Sequence, residues 1–392
     1  MQIETKYKIL VVIPRMPYPL NSGGRIAIYD SIRILSKKYT ITLVIIDDNK
    51  ENKIYVPELK KYAETVFFFG KSKIKCFINS LLFFFNRKPL QVGYFYFRDV
   101  QNLINEIYSS HNLFFSFMIR TSSYGINLNI NKIHYSIDSM YLNYLKSINN
   151  TTSFFWKLIH KIELPLLFNI ESEHIENYNL TTFVNKDESN FWKKYGNTIT
   201  LPHGIDNTKF KSPKKNVKYK DIVSFIGRMD YQPNIDAVLW FSKNVFPYLR
   251  SNISLYIIGG FPTKEILNLR SSNIKILGFV DDPYEILSSC ICTVAPMQSG
   301  GGLQTKILMA MAVNSLVLTT TLAANPIDGA INNENILIED DPLKIANIIN
   351  DISLDPIKYV EISNKGRDLV KCTYSLDVIE NKLFQIVENY LK

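Results

Sequence analysis

The stretch Ala-Pro-Met-Gln-Ser-Gly-Gly-Gly-Leu-Gln-Thr-Lys-Ile-Leu-Met-Ala-Met-Ala-Val-Asn, residues 295–314, decides how the rest of the chain is interpreted. It follows a short apolar run, Cys290–Val294, that is typical of a buried parallel strand. Apolar residues then recur at the spacing of one helical face, at Leu303, Ile307, Ala310 and Met311. The order strand, glycine loop, helix predicts one unit of a parallel α/β sheet.

The glycine loop of this stretch has the composition of an anion site. Three consecutive glycines let the backbone approach a ligand, and the free N–H groups of the first helical turn face the loop. Lys306 lies one turn inside the predicted helix, and its side chain leans back toward the loop. A tight turn without a ligand is the alternative, but the lysine and the preceding strand favour binding. The candidate residues are Ser299, Gly300, Gly301, Gly302, Leu303, Gln304 and Lys306.

Length and composition favour two soluble globular domains. The chain has 392 residues, with 46% hydrophobic and 21% charged residues. Residues 1–8 are polar and show no secretory signal pattern. The longest apolar run, Cys76–Phe85, is interrupted by two polar residues and is shorter than the ~20 residues of a membrane span. We expect no spanning segment and a cytoplasmic location.

The cysteines and histidines do not indicate a metal site. The four cysteines lack metal-ligand spacing, and the five histidines form no HxxxH or HExxH pattern. We expect buried thiols in a reducing compartment and no metal requirement.

The N-terminal half opens with a β-loop-α-β pattern. Strands are predicted at Lys8–Ile13 and Ile41–Ile46, and the loop between them ends in Gly23-Gly24 before an apolar helical face. The loop lacks GxGxxG spacing, which disfavours a dehydrogenase-type site, but its glycines could present N–H groups to a phosphate or sugar. A glycine turn before a helix is the alternative.

Further strands are predicted along this half. They are Val66–Phe69, Leu113–Ile119, Ile133–Ile137 and Leu180–Val184, the last strand of the first domain. Residues 153–177 are predicted to be helical, with a kink or interruption at Pro165.

Asp138 is the candidate functional carboxylate of the first domain. It follows the strand Ile133–Ile137, at the strand end where open α/β sheets bind ligands. The alternative role is a helix N-cap before Met140–Leu145.

Residues 71–88 form a basic, then apolar, then basic segment. The chain carries a net charge of +9, and between Lys50 and Lys88 nine basic residues face three acidic ones. The segment could be a core helix, or it could lie on an anionic membrane surface. No nucleic-acid motif accompanies the charge, so we predict no nucleic-acid partner.

From Asp221 onward, strand and helix patterns alternate as in a doubly wound parallel sheet. The polar stretch Lys209–Lys220 marks the junction. We predict an N-terminal domain at 1–200, a C-terminal domain at 201–374, and a terminal helix at 375–392 that packs back across the junction. The predicted strands are Ile222–Ile226, Leu255–Ile258, Lys275–Leu277, Ile291–Ala295, Leu316–Thr319 and Ile336–Ile338.

Several of these strand ends carry candidate ligand-binding residues. Gly227-Arg228 ends the first strand, where a planar guanidinium can clamp phosphate oxygens. Gly278-Phe279-Val280 ends the third, in a position that commonly lines a nucleotide base. Asp281-Asp282 could resemble a metal pair, but the proline that follows favours a helix cap.

The chain resembles the family 4 glycosyltransferases over nearly its whole length. The segments that carry the resemblance are Pro17–Arg25, Arg120–Tyr124, Ile137–Tyr144, Leu201–Asp206, Phe225–Trp240 and Ala295–Ala312. The resemblance implies the GT-B fold, two Rossmann-like doubly wound α/β domains facing across a cleft. It implies retaining, metal-independent transfer from a UDP- or GDP-sugar to a glycan or lipid-linked glycan, as in bacterial surface-polysaccharide synthesis.

The resemblance also implies roles for single residues. Gly24 would face the donor phosphate, Arg228 would neutralise the diphosphate, and the backbone of Gly301, Gly302 and Leu303 would hold donor sugar and phosphate. Lys306 matches the branch whose loop reads Gly-x-x-x-Lys. Asp138 would face the acceptor.

Two positions depart from the family pattern. Met309 stands where many members carry a ribose-binding glutamate, and Asn234 lies in the stretch that usually contains a second lysine. A catalytically impaired binding module of the same fold is therefore an alternative, as is a sugar-nucleotide epimerase.

Overall fold

The computed structural model describes residues 7–20, 23–150, 154–211, 215–300 and 302–391. The chain divides into two compact units. The first unit is Met1–His203 together with Ile379–Lys392, and the second is Gly204–Val378.

The first unit is built on a parallel sheet in the order β3-β2-β1-β4-β5-β6-β7. Its strands are β1 (Lys8–Pro14), β2 (Thr40–Asp47), β3 (Thr65–Gly70), β4 (Leu113–Phe117), β5 (Lys132–Ile137), β6 (Leu180–Phe183) and β7 (Thr198–Thr200). Its helices are α1 (Gly23–Ser36), α2 (Val56–Leu59), α3 (Lys73–Phe85), α4 (Leu90–Phe95), α5 (Arg98–Ile107), α6 (Ile119–Ser122), α7 (Met140–Asn150), α8 (Phe154–Asn177) and α9 (Lys186–Trp192).

The central strands of this sheet explain why it is parallel and covered. β1 and β2 are almost entirely buried. Strands of a parallel sheet that is covered by helices on both faces are continuous apolar runs, as these two are. The strand order reverses between β1 and β4, so the loops after these two strands diverge at the carboxyl edge.

The second unit is built on a parallel sheet in the order β10-β9-β8-β11-β12-β13. Its strands are β8 (Ile222–Ile226), β9 (Ser254–Ile258), β10 (Ile274–Gly278), β11 (Cys292–Ala295), β12 (Val317–Thr319) and β13 (Leu337–Ile338). Its helices are α10 (Gln232–Asn244), α11 (Lys264–Leu267), α12 (Tyr284–Ser289), α13 (Thr305–Ala312), α14 (Thr321–Ala324), α15 (Pro342–Leu354) and α16 (Val360–Tyr374), and α17 (Leu376–Leu391) closes the chain. The predicted fold class, two Rossmann-like α/β domains, is confirmed.

Three local predictions were wrong. β7 adds a strand after β6, so Leu180–Val184 does not end the first sheet. Pro165 lies inside the continuous helix α8, so the helix is not interrupted there. Cys372 is exposed, whereas Cys76 and Cys292 are buried.

Most of the terminal helix α17 belongs to the first unit. The ring of Phe384 lies edge-on to Tyr39 with centroids 6.2 Å apart, and Lys37 pairs with Glu380 at 2.5 Å. Among the described residues, no helix has both the length and the apolar character needed to cross a membrane. The same residues contain no cluster of three metal-binding side chains.

Candidate functional site

The loops after β8 and β9 touch at the carboxyl edge of the second sheet. Gly259 has φ of 151°, and a Cβ there would lie 1.7 Å from the carbonyl oxygen of Gly227. Only glycine fits so close an approach of two backbones. This contact fixes the loop that carries Arg228.

Lys306 follows the glycine loop, at the start of α13. It is the second residue of α13, which places it in the first turn of the helix rather than one turn inside. Its ammonium donates to the amide oxygen of Asn234 at 2.5 Å and lies 3.0 Å from the sulfur of Met297. It also lies 4.9 Å from the ring centroid of Phe225.

Within the described part of the chain, the charge of Lys306 has no anionic partner. Among the described residues, no carboxylate lies within ion-pair distance of its ammonium. Burial lowers the pKa of Lys306 to about 7. Although the side chain as a whole is only partly buried, its ammonium is surrounded by an amide, a thioether and an aromatic ring. An anion placed beside it would restore the charged form.

Asn234 joins the lysine to the loop after β8. Its Nδ2 donates to the carbonyl oxygen of Arg228 at 2.9 Å, while its Oδ1 accepts from Lys306. A Cβ at Gly227 would lie 2.7 Å from Asn234 Nδ2, so this glycine makes room for the amide. Asn234 thus supplies an oriented acceptor for Lys306.

Arg228 is held by a nearby acid. Its guanidinium donates to both carboxylate oxygens of Asp230, at 3.0 and 2.5 Å, and stands 5.3 Å from the ring centroid of Phe261. The hydrogen bonds lower the pKa of Asp230 and raise that of Arg228. The side chain of Arg228 is half exposed. The predicted phosphate clamp is therefore bonded to a carboxylate that a ligand would have to displace or share.

The glycine loop adopts backbone angles that suit glycine. Gly300 has φ of 88° and Gly302 has φ of 119°. Gln304 is the N-cap position of α13, and its side-chain amide donates to the Gly302 carbonyl oxygen at 3.4 Å. Ser299 and Leu303 are partly buried. Gly301 lies outside the described residues.

Two exposed aromatic rings follow β9 and β10. Phe279 follows Gly278, whose φ is 69°, and is 77% exposed, while the neighbouring Val280 is partly buried. Phe261, which the sequence did not single out, is 71% exposed after Gly259-Gly260. Exposed rings at this edge can stack on a nucleotide base.

In the first unit, Asp138 is exposed at the end of β5. The N-cap of α7 is Ser139, whose Oγ accepts from the amide of Leu142 at 3.2 Å. The alternative cap role for Asp138 is therefore wrong. Asp138 lies at the carboxyl edge of the sheet, and desolvation raises the pKa of its carboxyl group.

Two buried glutamates that the sequence did not single out hold the Asp138 segment. Glu171 accepts from Ser139 Oγ at 2.6 Å and from the amide of Met140 at 2.7 Å. Glu188 accepts from the Ser139 amide at 2.7 Å. Burial raises the pKa of Glu171 to about 7 and that of Glu188 to about 8. Both glutamates are far from Asp138 in the sequence, so no local motif indicates that they contact this segment.

Gly23 and Gly24 open α1. A Cβ at Gly24 would lie 2.9 Å from the terminal methyl group of Met118, so the helix start touches the loop after β4. These glycines and Asp138 belong to the first unit, whereas Arg228, Lys306 and the glycine loop belong to the second.

Helix α3 covers most of the segment 71–88 and is not a core helix. Only Cys76 and Ser80 are buried within it. Ile74 is 74% exposed and Phe85 is 80% exposed, so the apolar side of the helix faces outward. The core alternative for this segment is wrong.

Three comparisons place this architecture among known proteins. Residues 220–355 match the family described as Glycosyl transferases group 1. The chain is 22% identical over 398 residues to an uncharacterized 44.6 kDa protein in the cps region of Klebsiella pneumoniae, covering 96% of this chain and 99% of the relative.

The fold is that of solved GT-B glycosyltransferases. Anabaena Alr3699/HepE in complex with UDP and glucose superimposes with a TM-score of 0.67 at 12% identity, covering 98% of this chain and 100% of that one. Sucrose-phosphate synthase from Thermosynechococcus elongatus gives 0.70 at 13% identity, covering 97% and 98%. WaaG, a glycosyltransferase involved in lipopolysaccharide biosynthesis, gives 0.64 at 12% identity, covering 96% and 98%.

Proposed function

We propose that the protein transfers a sugar from a UDP- or GDP-sugar to a glycan or lipid-linked glycan acceptor, with retention of anomeric configuration and without a metal ion. The observation that carries the proposal is Lys306. Among the described residues, its ammonium has no carboxylate partner; it is oriented by Asn234 and lies in the first turn of the helix that follows a loop of left-handed glycines. The matched family segment, 220–355, contains all of these residues.

The chemistry follows from the charge that develops on the donor. As the glycosidic bond breaks, the diphosphate leaving group gains negative charge. The interaction that stabilises this charge must be stronger in the transition state than in the ground state. Lys306 supplies a cation there, the loop supplies backbone N–H groups, and Arg228 supplies a second cation when it is released from Asp230. Together, these three groups would stabilise the negative charge of the leaving diphosphate, as a bound metal ion would.

On the acceptor side, we propose that Asp138 orients the attacking hydroxyl. It is exposed at the end of β5, and Glu171 fixes the backbone of the residues that follow it. No protein nucleophile is assigned, because same-face attack within an ion-pair-like state does not need one.

The test is product formation from a panel of sugar nucleotides with glycan and lipid-linked acceptors. We expect turnover that chelation with EDTA leaves unchanged, and a product whose anomeric coupling constant in proton NMR matches that of the donor. Loss of activity with EDTA would contradict the proposed metal independence. A product with inverted anomeric configuration would contradict the proposed retention.

A second candidate is a non-catalytic nucleotide-sugar-binding module, favoured by Met309. Its side chain packs against the core of the second unit and cannot accept hydrogen bonds from ribose hydroxyls as a glutamate does. Tight diphosphate binding with no product from any donor would favour this candidate. Donor turnover without any acceptor would instead indicate an epimerase.

We also propose that the enzyme works at an anionic membrane surface through α3. Its exposed apolar residues are Ile74, Phe77, Ile78, Leu81, Leu82 and Phe85. Exposed basic residues flank them at Lys73, Lys75, Arg87 and Lys88. Lys71, in contrast, is buried and pairs with Asp99.

Charge favours an anionic lipid surface as the partner. No acidic residue occurs between Glu64 and Asp99. In addition, Leu158 and Ile162 of α8 are exposed, and Glu163, directly after Ile162, accepts from the amide of Leu90 just beyond α3. Apolar side chains between basic ends suit the boundary between headgroups and acyl chains.

Co-sedimentation with vesicles tests this surface. Anionic vesicles should retain the protein at low salt, and Phe85→Asn should weaken retention, whereas the equally exposed Ile357→Asn in the second unit should not. Failure of the wild type to bind anionic vesicles at low salt would rule the surface out.

A further inference from the structure

Two arginines meet at the carboxyl edge of the first sheet, where the strand order reverses. Arg15 directly follows β1, and Arg120 follows the adjacent strand β4. Both guanidinium groups lie near the ring of Phe95, at 5.3 and 5.6 Å from its centroid. Open α/β sheets bind ligands at such a reversal.

Among the described residues, one carboxylate pairs with Arg15 and none pairs with Arg120. Arg15 donates to Asp48 Oδ2 at 2.9 Å, and the same oxygen accepts from the hydroxyl of Tyr94 at 3.0 Å. In the part of the chain that the structure describes, the polar contact of Arg120 is the sulfur of Met118 at 3.9 Å, and thioether sulfur is a weak acceptor. Among the described residues, no carboxylate pairs with Arg120, and the Nε of Arg15 is buried without an acceptor.

The electrostatics of the pair favour an added anion. Burial, together with the charge of Arg15, lowers the pKa of Arg120. Each guanidinium has five N–H donors in a planar fork that matches phosphate oxygens. Among the described residues, Arg15 directs one of its donors to a carboxylate, and Arg120 directs one to a sulfur. The backbone also converges on this place, since Gly24 at the start of α1 approaches Met118.

The arginine pair is connected to the exposed helix α3. Tyr94 and Phe95 belong to α4, and α4 packs closely against α3 because Gly93 leaves no room between the helices: a Cβ there would lie 2.4 Å from Phe83 Cβ. The opposite side of α3 carries the apolar and basic residues proposed to contact lipid. A phosphate that reaches the arginines could therefore be attached to a lipid anchored beside α3.

Resting on the proposed sugar transfer, we infer that Arg15 and Arg120 bind the phosphate of the acceptor, and that the acceptor is a phosphate ester of a lipid carrier. The donor also carries phosphate, so the same two arginines could instead hold the donor. The experiment separates these two sources by using one probe for each.

The probes are butyl phosphate, whose tail is too short to occupy α3, and a nucleoside diphosphate, each titrated calorimetrically into the full chain. Butanol serves as the control for the tail alone. In Arg120→Gln and in Arg15→Gln, butyl phosphate should bind at least about tenfold more weakly, as expected for loss of charge-assisted hydrogen bonds. Nucleoside diphosphate affinity should stay within about twofold. The exposed Arg98→Gln should leave both unchanged.

Three results would overturn the inference. They are no butyl phosphate binding by the wild type, unchanged binding in both arginine variants, and an equal loss of nucleoside diphosphate affinity, which would assign the arginines to the donor. Because Arg15 is partly exposed, its variant keeps the test usable if Arg120→Gln does not fold. If butyl phosphate binds as expected but no sugar nucleotide is bound or turned over, the proposed sugar transfer fails while this phosphate site stands.

Discussion

The ammonium of Lys306 donates a 2.5 Å hydrogen bond to the side-chain oxygen of Asn234, two residues separated by 72 positions in the chain. The same asparagine binds the backbone of Arg228 through its nitrogen. One amide therefore links both candidate phosphate-binding cations, and several consequences can be measured.

Lys306→Ala should lower kcat/KM about 100-fold, since one group that stabilises developing charge contributes roughly 3 kcal/mol. Steady-state kinetics on the best donor would measure the effect. Lys243→Ala removes an exposed lysine from the same unit and should leave the rate unchanged. Equal rates for Lys306→Ala and wild type would show that Lys306 does not act on the leaving group.

Nucleoside diphosphate binding should take up close to one proton at pH 8.5. Burial lowers the pKa of Lys306 to about 7, so the free site is mostly neutral at that pH and becomes protonated beside the anion. Affinity should accordingly fall as pH rises through 7. Calorimetry in buffers of different ionisation enthalpy gives the proton count, and Lys306→Met should abolish the uptake. Uptake that persists in this variant would assign the proton to another group.

Asp230→Asn should strengthen nucleoside diphosphate binding about two- to fivefold, because Arg228 no longer has to leave a carboxylate. The pair is half exposed, so the free energy of unfolding should change by less than about 1 kcal/mol. Asp236→Asn also removes one negative charge from the second unit, so it controls for the effect of net charge on binding. Weaker binding in Asp230→Asn would mean that the acid positions the arginine productively.

Gly259→Ala should lower the free energy of unfolding by about 3 kcal/mol or more, since its Cβ would collide with the Gly227 carbonyl oxygen at an unfavourable φ. Gly260→Ala is the matched control, because a Cβ there would have only an ordinary contact at 3.8 Å. Urea unfolding of both variants measures the difference. Similar stabilities would show that the two loops can separate at low cost.

Periodicity was enough to predict both sheets, because buried parallel strands such as β1 and β2 are continuous apolar runs. It could not predict that Asp230 binds Arg228 or that Asn234 orients Lys306, since those contacts depend on how loops fold onto one another. Nor could it predict which side of α3 is buried. Small and polar residues, Cys76 and Ser80, lie on the buried side, while the larger apolar residues face outward.

A crystal structure with bound nucleoside diphosphate tests the central claim most directly. The account predicts diphosphate oxygens within hydrogen-bond distance of Lys306 Nζ and of the loop amides at 300–303. A diphosphate bound elsewhere, with Lys306 still bonded only to Asn234 and Met297, would contradict it.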